Sequence, residues 1–471
     1  MTKPRVAISI TQTWSIRNVI HSGVLNDLTH SVEPILLVRD LDMLPLVELK
    51  RLGIQVALML GEFNTNGWLR RLRYWNDMAF AKHYGIAARR LDQWWRHRQR
   101  WRSGIYRVKY AASDGLVSRI LSSGGLFRWF DEAERKMYKR FINLNAVRQQ
   151  LSALRLDGFV STVYFDRWEQ PYLRTADDMG LATICMIPSF DNLWVWGMIP
   201  VPFRYFLVWH ERMRDEVRMF YPNVKPGRCL VTGAPQFDFH VRPEWVWSRE
   251  ETARYWDLDR DSLWYLYTTN AEQHTPTEPH LLGEIVAAFK KACLLERGCL
   301  IIRPHPLDSY ERWHGFVNRG SNVAVRYPWS KSGKVGLAQT DLSIHVAWVN
   351  LVRYSTVCMN VGSTTTLDAA AVGSPVVLIN FAASGESHED EYYKRFNFSR
   401  EHYHPIACHP GLRVAHNVDD LIRHVRAYVA DPGLDSVERE RLAREFAGRL
   451  DGQSAKRVSQ AIAKAMNQKM K

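Results

Sequence analysis

Nowhere in the 471 residues does an apolar run approach the roughly 18 needed to span a bilayer, so a transmembrane anchor is not expected. The apolar stretch at residues 6–10 is too short for the core of a signal peptide. It reads as a first β-strand, and the expected location is the cytoplasm. Cysteine is sparse: Cys185, Cys229, Cys293, Cys299, Cys358 and Cys408 are scattered in mostly apolar contexts, with no CxxC pair of the kind that holds zinc. They are expected to be reduced core thiols. No stretch is polar and biased enough to stay unfolded, and no segment repeats. What remains is a globular composition, 46% hydrophobic and 24% charged, in a chain longer than single cores usually reach. Two domains are the natural expectation.

Acidic residues are under-represented in one place. The net charge is +14, and between Trp68 and Phe130 fourteen Lys and Arg face only Asp77, Asp92 and Asp114. The same segment holds Trp68, Trp75, Trp94, Trp95, Trp101 and Trp129. Indoles rest at headgroup depth and guanidinium groups pair with lipid phosphates, so 68–130 fits peripheral contact with an anionic membrane. A helical insertion packing its tryptophans on a neighbouring domain accounts for the same composition. Nucleic-acid binding is the weakest reading, because the charge is confined to one insertion and no recognition motif accompanies it.

Strand candidates at 6–10, 35–38 and 56–60 have the cadence of a βαβ sheet, which the basic segment interrupts. It resumes at 158–163, 182–187, 205–209 and 229–232. The pattern loosens around 235–247, and a second cadence begins at 263–267, continuing through 300–302, 343–345, 356–360 and 376–379 with a helix at 365–371. The expected division is 1–240, carrying an insertion at 68–140, then 241–434, then a charged helical segment at 435–471. The fold class is α/β: two doubly wound parallel sheets, whose ligands bind outside the carboxyl ends of the strands.

The sharpest local signal runs from Met359 to Val377. A strand ends at Asn360, Gly362 permits a close turn, and Ser363, Thr364 and Thr365 offer hydroxyls where a helix begins. Free amides and the positive dipole end there favour a phosphate, although Ser363 also fits an ordinary N-cap. Asp368, one turn later, suits a ribose or simply solvent. Arg303-Pro-His-Pro306 follows a buried-looking strand, so Arg303 is expected to neutralise a diphosphate leaving group with His305 as a second donor. A histidine between prolines fits a structural role equally. Thr269 and Asn270, ending strand 263–267, are weaker contacts of the same kind. In the first domain, residues 11–23 are rich in groups able to hold a hydroxylated acceptor; His21 and Asp191 compete as general base, against surface and turn roles respectively. The pairs Asp257/Asp259 and Asp259/Asp261 precede a strand in a charged loop, so no metal is expected.

Taken in order, Ser189-Phe-Asp-Asn-Leu193, Phe206-Leu-Val-Trp-His-Glu211, Val231-Thr-Gly-Ala-Pro-Gln-Phe-Asp238, Arg303-Pro-His-Pro306, the 362–375 segment, Glu401-His-Tyr-His-Pro405 and Asp451-Gly-Gln-Ser-Ala-Lys-Arg457 resemble bacterial surface-carbohydrate transferases of GT-B architecture, including relatives of the CDP-glycerol glycerophosphotransferases. The resemblance implies two Rossmann-like domains facing a cleft, and a C-terminal helix crossing back onto the first. It implies a nucleotide-sugar donor held by the second domain, with Gly362, Ser363 and Thr364 on its phosphates, Asp368 on the ribose, and Glu401 and His402 on the sugar side. A glycan or lipid-linked acceptor belongs to the first domain. The expected activity is metal-independent, cofactor-free glycosyl transfer; polyol-phosphate transfer and a non-catalytic nucleotide-binding or membrane-scaffolding role are the alternatives. The basic insertion and the pair Trp194 and Trp196 lie outside the resemblance.

Overall fold

The computed structural model describes residues 3–61, 63, 67–91, 95, 115–316, 322–327 and 341–468. The chain forms two compact units, Met1–Ala234 with Ser454–Lys471, and Pro235–Gln453.

The first unit is built on seven strands: β1 Arg5–Ile10, β2 Glu33–Val38, β3 Gln55–Leu58, β4 Gly158–Ser161, β5 Ala182–Met186, β6 Tyr205–Val208 and β7 Cys229–Val231. Their order is β3-β2-β1-β4-β5-β6-β7, and every pairing is parallel. Strands covered by helices on both faces must be apolar throughout rather than alternating. From Val6 to Ile10 and from Pro34 to Val38 every residue is buried. The chain reverses its direction of travel across the sheet between β1 and β4, which makes that point the switch.

The second unit repeats the plan with β8 Leu263–Thr268, β9 Gly298–Arg303, β10 Val323–Val325, β11 Val357–Asn360, β12 Val376–Ile379 and β13 Arg413–Ala415. The order is β10-β9-β8-β11-β12-β13, again all parallel, with the switch between β8 and β11.

The C-terminal segment divides between the units. Helix Ser436–Phe446 belongs to the second, where the buried Arg439 donates to the carbonyls of Gly373 (2.9 Å) and Leu434 (3.1 Å). Helix Ser454–Asn467 belongs to the first. Val458, Ile462, Ala465 and Met466 form its buried stripe, and Ser459 donates to Val24 O at 2.9 Å. A Cβ at Gly158 would stand 2.5 Å from Met466 Sδ, so the small residue in β4 is what lets this helix close on the sheet. The unit boundary at Ala234 lies slightly before the expected 240, and residues 435–453 stay with the second unit.

Two further expectations need correction. Residues 343–345 are not a strand; they open helix Leu342–Tyr354, whose N-cap Asp341 accepts from Ser343 N at 3.0 Å. Cys293 and Cys408 are exposed, whereas the other four thiols are buried core groups, and all six are unbridged.

The insertion is anchored by buried charge. On helix Gly67–His83, Arg73 pairs with Asp77 (3.3 Å) and with Asp131 (3.0 Å) of helix Leu126–Phe141, while Glu134 holds Arg174 at 3.0 Å. Asp77 also accepts from Met198 N at 3.1 Å. Trp95 is buried and Trp75 half-buried, whereas Trp68 and Trp129 are exposed. Trp94 and Trp101, with the basic residues of 96–114, lie outside the described residues. Among the described residues no helix is long and apolar enough to cross a membrane.

Candidate functional site

At the second switch point, β11 ends in Asn360, whose fully buried side chain organises the turn into the next helix. Its Oδ1 accepts from Ser363 N (2.9 Å) and from the Thr366 hydroxyl (3.1 Å), and that hydroxyl also meets Tyr403 OH at 2.9 Å. The loop is thereby pinned before helix Thr365–Ala371 begins. Gly362 turns the chain with φ +63°, and a Cβ there would fall 2.4 Å from Asn397 Oδ1. Ser363 Oγ accepts from Thr365 N at 3.3 Å, so this hydroxyl does cap the helix, and two of the expected amides already have side-chain acceptors. Thr364 is exposed and makes no capping bond. The turn therefore opens to the surface at Ser363 and Thr364.

The end of β8 is tied to this turn: Asn270 Nδ2 donates to Val361 O at 3.0 Å. Thr269 Oγ1 donates to Asp308 Oδ2 (3.2 Å) and accepts from His305 N (2.9 Å), so Thr269, Asn270 and His305 share one edge. His305 Nδ1 accepts from Leu307 N at 3.1 Å, and burial lowers its pKa to about 4. The ring is thus neutral at pH 7 and carries its proton on Nε2, as a donor.

Beneath lies a buried charge cluster that local sequence did not reveal. Arg312 donates to Asp308 and to Asn270 O, each at 2.9 Å. Glu278 accepts from Tyr267 OH (3.0 Å), Thr275 Oγ1 (2.8 Å) and Asn270 N (3.1 Å); burial pushes it up to about 8, against the pull of Arg312.

Four expected contact residues, Arg303, Asp368, Glu401 and His402, are placed as follows. Arg303 does not reach outward: its guanidinium lies between the rings of Trp256 (5.5 Å) and Trp348 (4.9 Å) on two flanking helices, and burial lowers it to about 9. Among the described residues no carboxylate pairs with it. Asp368 Oδ1 stands 3.0 Å from Nε2 of the buried His240. His402 is buried, and Glu401 half-buried, beside the Tyr403 that braces the turn. Arg400, absent from the sequence candidates, donates to Gly362 O at 3.4 Å and lies over the Phe396 ring.

In the first unit the β1/β4 switch holds Glu169. It accepts from Ser9 Oγ (2.6 Å), from Val163 N (2.9 Å) and from Ser161 Oγ, and burial raises it to about 7. Above it, Gln12 Nε2 donates to Asp166 at 2.5 Å and Ser15 Oγ meets Thr162 Oγ1 at 2.8 Å. Trp196 stacks on Phe165 with centroids 4.2 Å apart and planes within 2°. Of the two base candidates, His21 is buried in the π-helical turn Arg17–His21. Asp191 is half-buried ahead of the turn Asn192–Val195, accepting from Asn192 Nδ2 at 3.2 Å.

No family model matches the chain, and no curated protein matches it. Solved structures do. The UDP-GlcNAc 2-epimerase from Neisseria meningitidis bound to UDP-GlcNAc is 10% identical, with 98% of this chain and 100% of that one covered at a TM-score of 0.56. MnaA of S. aureus with UDP is 10% identical, with coverages of 98% and 97% and a TM-score of 0.54. A Listeria monocytogenes protein described as a UDP-N-acetylglucosamine 2-epimerase is 10% identical, covered 99% and 98%, at 0.55. The likeness is one of fold. It extends over both units, so the chain has the GT-B-like fold of two Rossmann-like parallel-sheet units. None of these three is a CDP-glycerol transferase.

Proposed function

We propose that the chain is an enzyme acting on a nucleotide-diphosphate sugar, whose diphosphate is held at the Gly362–Thr365 turn of the second unit. The observation that carries this reading is the braced strand–glycine–hydroxyl–helix turn at the β8/β11 switch, open at Ser363 and Thr364. The three structural neighbours support it, since two of them were solved with UDP or UDP-GlcNAc. Ser363, Thr364 and the helix start present donors and a positive dipole end to phosphate oxygens. His305 adds a neutral N–H donor, and Arg400 adds positive charge behind the Gly362 carbonyl. Leaving-group charge is thus met by fixed dipoles and side chains, without a metal.

The reaction proposed is glycosyl transfer to a hydroxyl of a glycan or lipid-linked acceptor. The hydroxyl oxygen bonds to the anomeric carbon, the bond to the diphosphate oxygen breaks, and a base takes the hydroxyl proton. Asp191 is the more accessible of the two candidates for that base, because His21 is buried. A second reading, isomerisation of the sugar while it stays on the nucleotide, is favoured by the described activity of the Neisseria meningitidis and Listeria monocytogenes neighbours.

The test is a thermal-melt panel of uridine, cytidine, guanosine and adenosine diphosphates, followed by product analysis. One base is expected to raise the melting point, a ligand at 100 times its Kd contributing about 2.7 kcal/mol. No shift with any nucleotide at millimolar concentration refutes the reading. Sugar conversion with donor alone identifies the isomerase, and nucleoside diphosphate released only with acceptor identifies the transferase. Release of cytidine monophosphate identifies polyol-phosphate transfer, and nucleotide binding with no product identifies the non-catalytic role.

A further inference from the structure

The first unit contains a cavity of about 500 Å³ that belongs to neither switch point. It lies between helix Leu126–Phe141 and the two segments that lead into β6 and β7. Arg204 and Arg228 sit immediately before those strands, so the cavity occupies the amino-terminal edge of a wholly parallel sheet. Ligands of such sheets are served by the opposite, carboxyl edge. Its volume falls within the ordinary range for small-molecule sites.

The lining has two chemistries. The wall is apolar, formed by the buried Phe127, Met198, Ile199, Phe203, Phe206 and Phe220. The rim is cationic: Arg128, Arg204, Lys225 and Arg228 all line the cavity, and among the described residues no carboxylate pairs with any of them. Of the two acidic lining residues, Asp131 is already held by Arg135 (2.6 Å) and Arg73 (3.0 Å), leaving only Glu132 against four cations. Arg228 lies over the Tyr205 ring, 4.4 Å from its centroid, and its Nη1 is buried without a hydrogen-bond partner. A guanidinium nitrogen kept out of water without an acceptor is costly, and a bound phosphate oxygen removes that cost. An apolar interior behind a cationic rim suits a ligand that joins an anionic head to an aliphatic chain.

We propose that this cavity binds an anionic amphiphile, a phosphate group joined to an aliphatic chain, as in the headgroup region of a membrane lipid. The phosphate meets Arg128, Arg204, Lys225 and Arg228, and the first carbons of the chain fill the phenylalanine-lined interior. The proposal does not depend on the nucleotide-sugar reading, and its assay contains no nucleotide.

The experiment titrates the full chain by calorimetry with decyl phosphate below its micelle concentration, alongside decyl maltoside and inorganic phosphate. Decyl phosphate is expected to bind saturably at one site. The neutral amphiphile lacks the charge and inorganic phosphate lacks the chain, so each is expected to bind at least about tenfold more weakly. Arg204→Gln with Lys225→Gln, both exposed and so free of a folding role, is expected to weaken decyl phosphate at least about tenfold and leave decyl maltoside unchanged. Equal binding of decyl maltoside overturns the proposal, as does inorganic phosphate binding as tightly, indifference to the double substitution, or the absence of saturable binding.

Discussion

Replacing Thr364 by glutamate separates the anion reading of the second-unit turn from a purely structural one, because the two make opposite demands on that position. Thr364 is exposed, and its side chain makes no capping bond, so its removal costs the free protein nothing that the structure records. A carboxylate at a helix N-terminus gains about 0.3 to 1 kcal/mol from the dipole. Thr364→Glu is therefore expected to melt at or slightly above the wild-type temperature. Nucleotide binding moves the other way. A carboxylate about 5 Å from one diphosphate charge repels it by about 3 kcal/mol at an effective dielectric of 20, and salt reduces this by roughly half at an exposed site. Affinity is expected to fall between about 10- and 100-fold. The assay is the nucleotide-induced melting shift with calorimetry to fix Kd, and Thr364→Val serves as the uncharged control. A glutamate variant that folds normally and binds nucleoside diphosphate as tightly as wild type would refute the placement of the phosphates at this turn.

Gly362→Ala is expected to destabilise by about 2 to 5 kcal/mol, read as a lower urea midpoint, because left-handed strain adds to a collision with Asn397. Asn397 cannot swing aside, since its amide donates to Ile379 O (3.1 Å) and Asn380 Oδ1 (3.2 Å). Gly373→Ala, also at positive φ but with nothing within 4 Å, is expected to lose only about 1 to 2 kcal/mol; equal losses refute the steric account. Glu169 is raised from 4.5 to about 7 by burial, so its contribution to stability is fully present below pH 4.5 and is lost as pH rises toward 7. Glu169→Gln is expected to flatten the fall in stability between pH 5 and 8 by up to about 3 kcal/mol, measured by urea unfolding across that range, and unchanged slopes refute the assignment.

What the sequence exposed was mostly local. Strands of a sheet covered on both faces are apolar runs bounded by Gly, Pro or Asp, whereas the order of those strands across each sheet, and so the switch points, came only with the structure. The three-residue edge strands Val323–Val325 and Arg413–Ala415 went unread, although the equally short edge strand Cys229–Val231 was found. Residues 343–345 imitate a strand in isolation; the helix is fixed by the Asp341 cap and by Val346, Val349, Asn350 and Leu351, whose burial depends on partners distant in sequence. The glycine–hydroxyl turn was legible because its geometry lies within five residues. Its bracing was not, because Asn397, Arg400 and Tyr403 come from some forty residues further on; the 401–405 segment was marked, but only for Glu401 and His402 on the sugar side. Glu169 was hidden for the same reason: its partners Ser9 and Ser161 lie on different strands.

The same contrast reassigns the positive charge of the proposed site. Sequence position alone favours Arg303, since a guanidinium ending a strand ought to reach the ligand edge. Burial between two indoles instead makes it a packed cation: the aromatic faces satisfy its charge, and desolvation already lowers its pKa to about 9. A group so enclosed has to be extracted from its aromatic box before it can follow a leaving group. Arg400 is as deeply buried, over the Phe396 and Tyr403 rings, but its guanidinium already donates to the Gly362 carbonyl of the turn itself. Charge held in place before reaction costs no reorganisation at the transition state. In this unit the cation behind the turn, rather than the one at the strand end, is the better placed to offset a departing diphosphate.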